Sequence, residues 1–192
     1  MSNAATIPLD RLPSLSEIFS HLNSGKHLNR LQDHDLWVEL EREEPQYRIL
    51  FERLGFTLRF DQRGFAWLHE KNASTDLHKN SRKLALFFML IFQHQADLGK
   101  HLRGFAEWAI DRSVLGVIFD KNRTLLEASE TAPLDFIEKW PALACRYGFA
   151  VTEHQGWRLL PAVWRYLDLF QELAADSVAP DHDHHSEHEG GS

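Results

Sequence analysis

Along the chain, apolar positions recur with a helical period, stop at a glycine and then switch to a period of two, and this succession occurs twice. In the first instance Tyr47, Leu50, Phe51 and Leu54 predict the apolar stripe of a helix opened by Pro45. Gly55 stands where a helix commonly ends in a left-handed residue. Phe56, Leu58 and Phe60 then alternate with Thr57, Arg59 and Asp61, the mark of a half-buried strand. Asp61-Gln-Arg-Gly64 supplies a turn and Phe65–His69 the returning strand. In the second instance Pro141, Leu143, Ala144 and Tyr147 lead to Gly148, and the run to Leu160 carries another hairpin turned at Gly156. Arg53 aligns with Arg146, Phe56 with Phe149 and Phe65 with Trp157, while Gly64 meets Gly156 after one deletion. A repeated helix, glycine stop and β-hairpin predicts an α+β, mostly helical chain of tandem winged-helix domains, each ending in a hairpin wing.

The remaining pattern fills in both units. Residues 1–13 read as irregular, broken by Pro8 and Pro13. Ser14-Leu-Ser-Glu17 has the capping-box pattern, and Leu15, Ile18, Phe19 and Leu22 form the buried face of a helix that Gly25 closes. A short basic connector, Lys26–Leu31, precedes a helix begun by Asp33 or Asp35, with Leu36, Trp37 and Leu40 apolar and Glu39, Glu41, Glu43 and Glu44 on a solvated acidic face. These elements place the first domain at 14–70 and a linker at 71–79, with the second domain at 80–175 and a disordered acidic, His-rich tail at 176–192. A helix from about Thr75 to Leu98 is apolar nearly all round and needs cover between the domains or from another subunit. Leu102 to Ile110 suggests a short helix, whereas Val114–Phe119 fits helix or strand. Phe136, Ile137 and Trp140 mark a helix interrupted by Pro141, and Pro161 opens a closing helix with Val163, Trp164, Leu167 and Phe170.

Composition narrows what such a chain does. The 192 residues are 43% hydrophobic, enough for one substantial core or two small ones. No apolar run approaches a membrane span, and the N-terminus lacks a signal-peptide layout, so a cytoplasmic location is expected. The one cysteine, Cys145, excludes an intrachain disulfide and is expected buried and inert. Of the formal charge of −7, five negatives lie from Asp176 onward without a lysine or arginine, which leaves the body near −2. Such a body binds nucleic acid only through local clusters of cations.

No catalytic signature, phosphate loop or supported Cys–His pair appears, so the expectation is a non-enzyme without cofactor or metal. Of twelve histidines, His182, His184, His185 and His188 lie in the tail, where weak metal binding lacks a rigid geometry, and His69 and His154 flank the hairpin turns. The candidate contacts to DNA are Lys26 and Arg30 on the connector and Arg59 and Arg63 on the first hairpin, because guanidinium and ammonium groups bind backbone phosphate. Gly55, Gly64, Gly148 and Gly156 are the structural helix stops and turns. The cluster from His78 to Lys83 stands at a helix start, where cations oppose the helix dipole, and hints at a partner.

The connector His27-Leu-Asn-Arg30, the acidic helix Leu36–Glu44, the run Phe51–Phe56 and the wing Gly64–Leu68 together resemble the MksE/MukE-like subunits of bacterial SMC-type condensins and their anti-plasmid relatives. The likeness covers the first domain well and the second through its helix–hairpin ending. It implies a kite protein, a tandem winged-helix element that homodimerises and binds a kleisin, the kleisin in turn bridging the heads of an SMC-like ATPase. The implied function is non-enzymatic support of chromosome organisation or plasmid defence, nucleoid-associated, with DNA reached weakly and through the complex. The alternative from the residues is a dimeric winged-helix transcription regulator, although neither Pro45–Leu54 nor Pro141–Tyr147 is rich in base-reading side chains. A metal-handling protein built on the tail is a third reading.

Overall fold

The computed structural model describes residues 7–70 and 75–178. The chain is α+β and mostly helical, with one three-stranded and one two-stranded antiparallel sheet. Its elements are α1 (Leu15–Asn23), β1 (Leu28–Asn29), α2 (His34–Arg42), α3 (Glu44–Arg53), β2 (Phe56–Asp61), β3 (Phe65–Glu70), α4 (Thr75–Asp97), α5 (Arg112–Lys121), α6 (Arg123–Ala128), α7 (Trp140–Arg146), β4 (Ala150–Glu153), β5 (Gly156–Leu159) and α8 (Trp164–Val178).

The N-terminal half builds one core from Ile18, Leu22, Trp37, Tyr47, Phe51 and Leu58. The segment expected to be irregular is ordered from Ile7, for a 3₁₀ turn at Leu9–Arg11 buries Leu12 in this core and sends Arg11 to Glu43. The acidic face of α2 is only partly solvated. Glu39 and Glu43 are buried, at 6% and 1% exposure, because each has donors waiting. Glu39 accepts the Tyr47 hydroxyl at 2.6 Å and the Ser14 backbone N–H at 3.1 Å, and Glu43 accepts Arg11 and Arg42 at 2.9 and 3.0 Å. The Ser14 N–H at the start of α1 is thus satisfied from α2, and the Ser14 side chain makes no cap of its own. Burial opposes charge on Glu43, but its two arginine partners hold the carboxyl below the ordinary range. Leu54, expected in the apolar stripe of α3, is exposed.

The second half wraps α4. Leu84, Phe87, Phe88, Leu90, Ile91 and Phe92 are all buried in the second core, so α5, α7 and α8 cover most of the apolar girth of this helix and leave Met89 exposed. α4 begins at Thr75, where its pattern places it, within the segment 71–79 read as a linker. The 3₁₀ stretch Leu102–Glu107 replaces the short helix expected up to Ile110. Asp111 accepts the Val114 N–H at 2.8 Å, and this cap turns the ambiguous run Val114–Phe119 into helix. Pro141 does not interrupt its helix. A wide turn at Asp135–Lys139, in which Trp140 N–H reaches Asp135 O, opens the spacing just ahead of the proline, and α7 continues from it. Finally, α8 runs to Val178 rather than stopping near Ala175, and the tail from residue 179 lies outside the described residues.

The duplication extends beyond the hairpins. In the first half β1 lies beside β3, with Asn29 opposite Phe65, and in the second Ile110 bridges Trp157, the residue aligned with Phe65. Each half therefore runs helix, bridge, helices, glycine stop, hairpin. The bridge explains Gly156: a Cβ there would collide with Ile110 O. Gly148 is constrained in two ways, since it has φ +74° and a Cβ would lie 2.5 Å from His27 O in the other half. Gly55, its counterpart, has φ +87° but open space around it.

Gly55→Ala should therefore cost only the left-handed strain, ~1–2 kcal/mol, whereas Gly148→Ala should add an overpacking cost of roughly 1–3 kcal/mol. Urea unfolding of the two variants measures the difference, and equal losses would rule out close packing of the halves at Gly148.

Candidate functional site

The two halves meet along the face of the first sheet that does not serve the first core. Strand alternation sends Leu58, Ala66 and Leu68 to that core, so Arg59, Phe65 and Trp67 must face the other way. Phe65 is fully buried in the second core, where it stacks on Trp67 at 5.6 Å between ring centres. One hairpin is thus shared between two cores.

At the centre of the junction the connector supplies hydrogen-bond donors to the end of α7. The His27 backbone N–H and its ring Nδ1 each lie 2.9 Å from Tyr147 O, so Nδ1 carries the proton and donates. The other ring nitrogen, Nε2, is left as the acceptor for the Arg165 guanidinium. The Asn29 amide donates to Gly148 O at 2.9 Å and to His27 O at 3.2 Å. The carbonyls at a helix end lack partners within the helix. Here the other half of the chain provides them. The His27 ring is enclosed by Phe65, Trp67 and Phe149, the last 4.4 Å away.

Arg63 forms a second tie. It donates to both oxygens of Asp61 within its own turn and to both oxygens of Asp168 on α8, at 3.0 and 2.6 Å, and its guanidinium lies 4.9 Å from the Trp164 ring centre. The Arg63 partnership holds the Asp61 carboxyl below its ordinary range. Of the other three cations singled out in the sequence, Lys26 lies 3.9 Å from Asp33, while Arg30 and Arg59 are exposed without a carboxylate partner among the described residues. Arg30 N–H bonds Gly64 O, and Arg59 sits opposite Trp67 in the sheet. The junction therefore gathers all four, but only Arg63 is spent on an internal clamp. Arg165 was missed in the sequence because it lies on the polar side of α8, and only the fold brings it to 4.4 Å from the Trp67 ring centre.

Other candidate chemistry is thin. Cys145 is half-buried, with its thiol pushed up by burial, and His69 and His154 are exposed. Among the described residues no group of three or more His, Cys, Asp or Glu side chains is placed to hold a metal ion, and no helix is long and apolar enough to cross a membrane. An open groove of about 770 Å³ lies beside the second hairpin, lined by Trp108, Asp111, Glu153, Trp157 and Arg158. It contains no nucleophile paired with a base.

Burial, and secondarily the Arg165 charge, push His27 down to about 3. The folded state thus prefers neutral His27, and the unfolded state binds one more proton below the ordinary 6.5. This contribution is complete above pH 6.5 and is lost as pH falls from 6.5 towards 3, at about 1.4 kcal/mol per pH unit. A denaturant series between pH 7.5 and 4.5 should show this slope, and His27→Gln, which keeps a neutral polar side chain, should flatten it. An unchanged slope in the variant would remove His27 as its source.

With this geometry established, comparison with known proteins adds one match. The family model for the condensin complex protein MksE covers residues 13–171, a span that takes in both cores and the junction between them. None of the curated proteins searched matches the chain. The chain belongs to the MksE family of condensin complex proteins.

Proposed function

We propose that the chain is a non-enzymatic scaffold subunit of an SMC-type condensin, built of two winged helices. On this reading it homodimerises, binds a kleisin, and through the kleisin joins an SMC-like ATPase that organises the chromosome or acts against plasmids. Membership of the MksE family supports assembly into a condensin complex. The helix–bridge–helices–hairpin order of each half supports the winged-helix reading. The division at the segment around residues 71–79 follows from the same order.

The observation that carries the scaffold role is the junction. An element that must hold two other chains at fixed positions needs its own halves rigidly joined; the buried His27 and Asn29 ties do this with polar groups removed from water, and Arg63 adds a clamp at the surface. Protein partners are also favoured by apolar side chains left in solvent, among them Leu169 and Leu173 on one side of α8. The regulator alternative requires a helix with free base-reading side chains. On α3, Arg48 is held by Glu44 and by Leu58 O, which leaves little for that task.

Coexpression with the kleisin-type chain of the same genome tests the proposal. Affinity purification should recover a stable complex in which native mass spectrometry counts two copies of this chain for each kleisin-binding unit. Recovery of this chain alone, together with tight binding to one operator sequence, would replace the proposal with the regulator.

A further inference from the structure

Residues 7–12 lie across the first core like a strap. Ile7 packs on that core, a 3₁₀ turn follows at Leu9–Arg11, and Leu12 is buried at 3% exposure. Pro8 and Pro13 bracket the turn. Arg11 reaches inward to Glu43, at the joint between α2 and α3, while Leu9 is left 62% exposed. The span matched by the MksE family begins at residue 13, so Glu43 and its surroundings belong to that span and the strap does not.

The polar side of this contact is incompletely matched. Arg11 and Arg42 both donate to the same oxygen of Glu43, Oε1, at 2.9 and 3.0 Å. The other oxygen, Oε2, is buried without a hydrogen-bond partner among the described residues, and so is Oε1 of Gln46. Side chains three residues apart at a helix start are neighbours, so these open acceptors belong to one site. Buried acceptors left without donors are rare and costly. A guanidinium set across both carboxylate oxygens has N–H groups enough for the whole set, whereas Arg11 supplies one bond. The strap can leave without stranding the carboxylate, because Arg42 stays on Glu43.

We infer that this site docks a segment of a partner subunit in which an arginine precedes an apolar residue, and that Ile7–Leu12 is a resident stand-in displaced by such a segment. The inference rests on the scaffold reading, which supplies the partner subunits, and it names one place where a partner is held. The site fixes the occupant's chemistry. A carboxylate with an open oxygen beside an amide oxygen takes a planar fork of donors, which lysine does not offer. The place vacated by Leu12 in the first core takes an apolar side chain of similar size. The same carboxylate turns away acidic segments.

A fluorescein-labelled peptide with the sequence of Ala5–Pro13 probes the site by anisotropy. The full-length chain carrying Arg11→Ala and Leu12→Ala, its strap loosened, should bind this peptide with a Kd of roughly 10–100 µM. The wild-type chain, whose own strap fills the site, should bind at least tenfold more weakly. Arg11→Lys in the peptide should cost at least fivefold, and Arg11→Glu should abolish binding, with circular dichroism showing the loosened chain folded. A second measurement needs no variant: hydrogen exchange at the Leu12 and Leu15 amides, bonded to Leu9 O and Leu12 O, should quicken at least fivefold in wild-type chain under excess unlabelled peptide. Unchanged exchange, equal affinity for the wild-type and loosened chains, or equal binding of the Arg11→Glu peptide would overturn the inference. So would a dimer formed by the wild-type chain and lost on loosening, which would assign the site to the strap of a second copy. None of these results bears on recovery of a kleisin complex, so this inference and the scaffold role fail separately.

Discussion

The two carbonyls at the end of α7 set the terms for the whole molecule. A helix terminating in a left-handed glycine satisfies part of its C-terminal backbone by folding back on itself, as Phe149 N–H does with Ala144 O and Gly148 N–H with Cys145 O. Tyr147 O and Gly148 O remain, and they are turned towards the other half of the chain. Buried acceptors without donors each cost on the order of 1–3 kcal/mol. His27 and Asn29 remove that cost, but only if the connector between α1 and α2 lies against α7 within hydrogen-bond distance. That approach requires a glycine at 148, a neutral His27, and aromatic rather than charged neighbours around its ring. One small set of hydrogen bonds thus fixes both the relative position of the halves and the side chains allowed at their contact.

The two hairpins share a local fold but have different surroundings. In the first half the strand at Leu28–Asn29 makes a third strand, and the outer face of that sheet is covered by the second core through Phe65 and Trp67. The free edge of β2 is also occupied, because Arg48 donates to Leu58 O at 2.9 Å. In the second half the corresponding pairing shrinks to one bridge at Ile110, and the hairpin stands beside an open groove. The same local fold is thus shared between two cores in one copy and packs on a single core, with an exposed tip, in the other.

The repeat was legible because it rests on local physics: helical spacing, a glycine stop and strand alternation are all written within thirty or so residues of chain. Residues 45–69 and 141–160 accordingly fold as read. What stayed hidden depends on partners distant in sequence. Glu39 and Glu43 read as solvated because nothing nearby reveals that Tyr47, Ser14 and Arg11 converge on them. Arg63 read as a free cation because its second carboxylate, Asp168, lies 105 residues away. Pro141 read as a break because a widened turn ahead of it leaves no signature in composition. Arg165 had no signal of its own, since an arginine on the polar side of a helix is ordinary until the ring beneath it is known.

This division bears on how charge is distributed over the surface. Lysine and arginine paired with a near neighbour in sequence, such as Arg123 with Asp120 or Arg158 with Glu153, lower the local field while adding little stability, as exposed pairs generally do. Unpaired cations raise it and gain nothing in folding from standing near the start of α4. A chain with 28 acidic side chains has ample means to neutralise its 21 basic ones, yet Arg30, Arg59 and Arg165 at the junction have no carboxylate partner among the described residues, unlike Arg63 beside them. Folding energetics does not require that arrangement and, near a helix N-terminus, slightly opposes it.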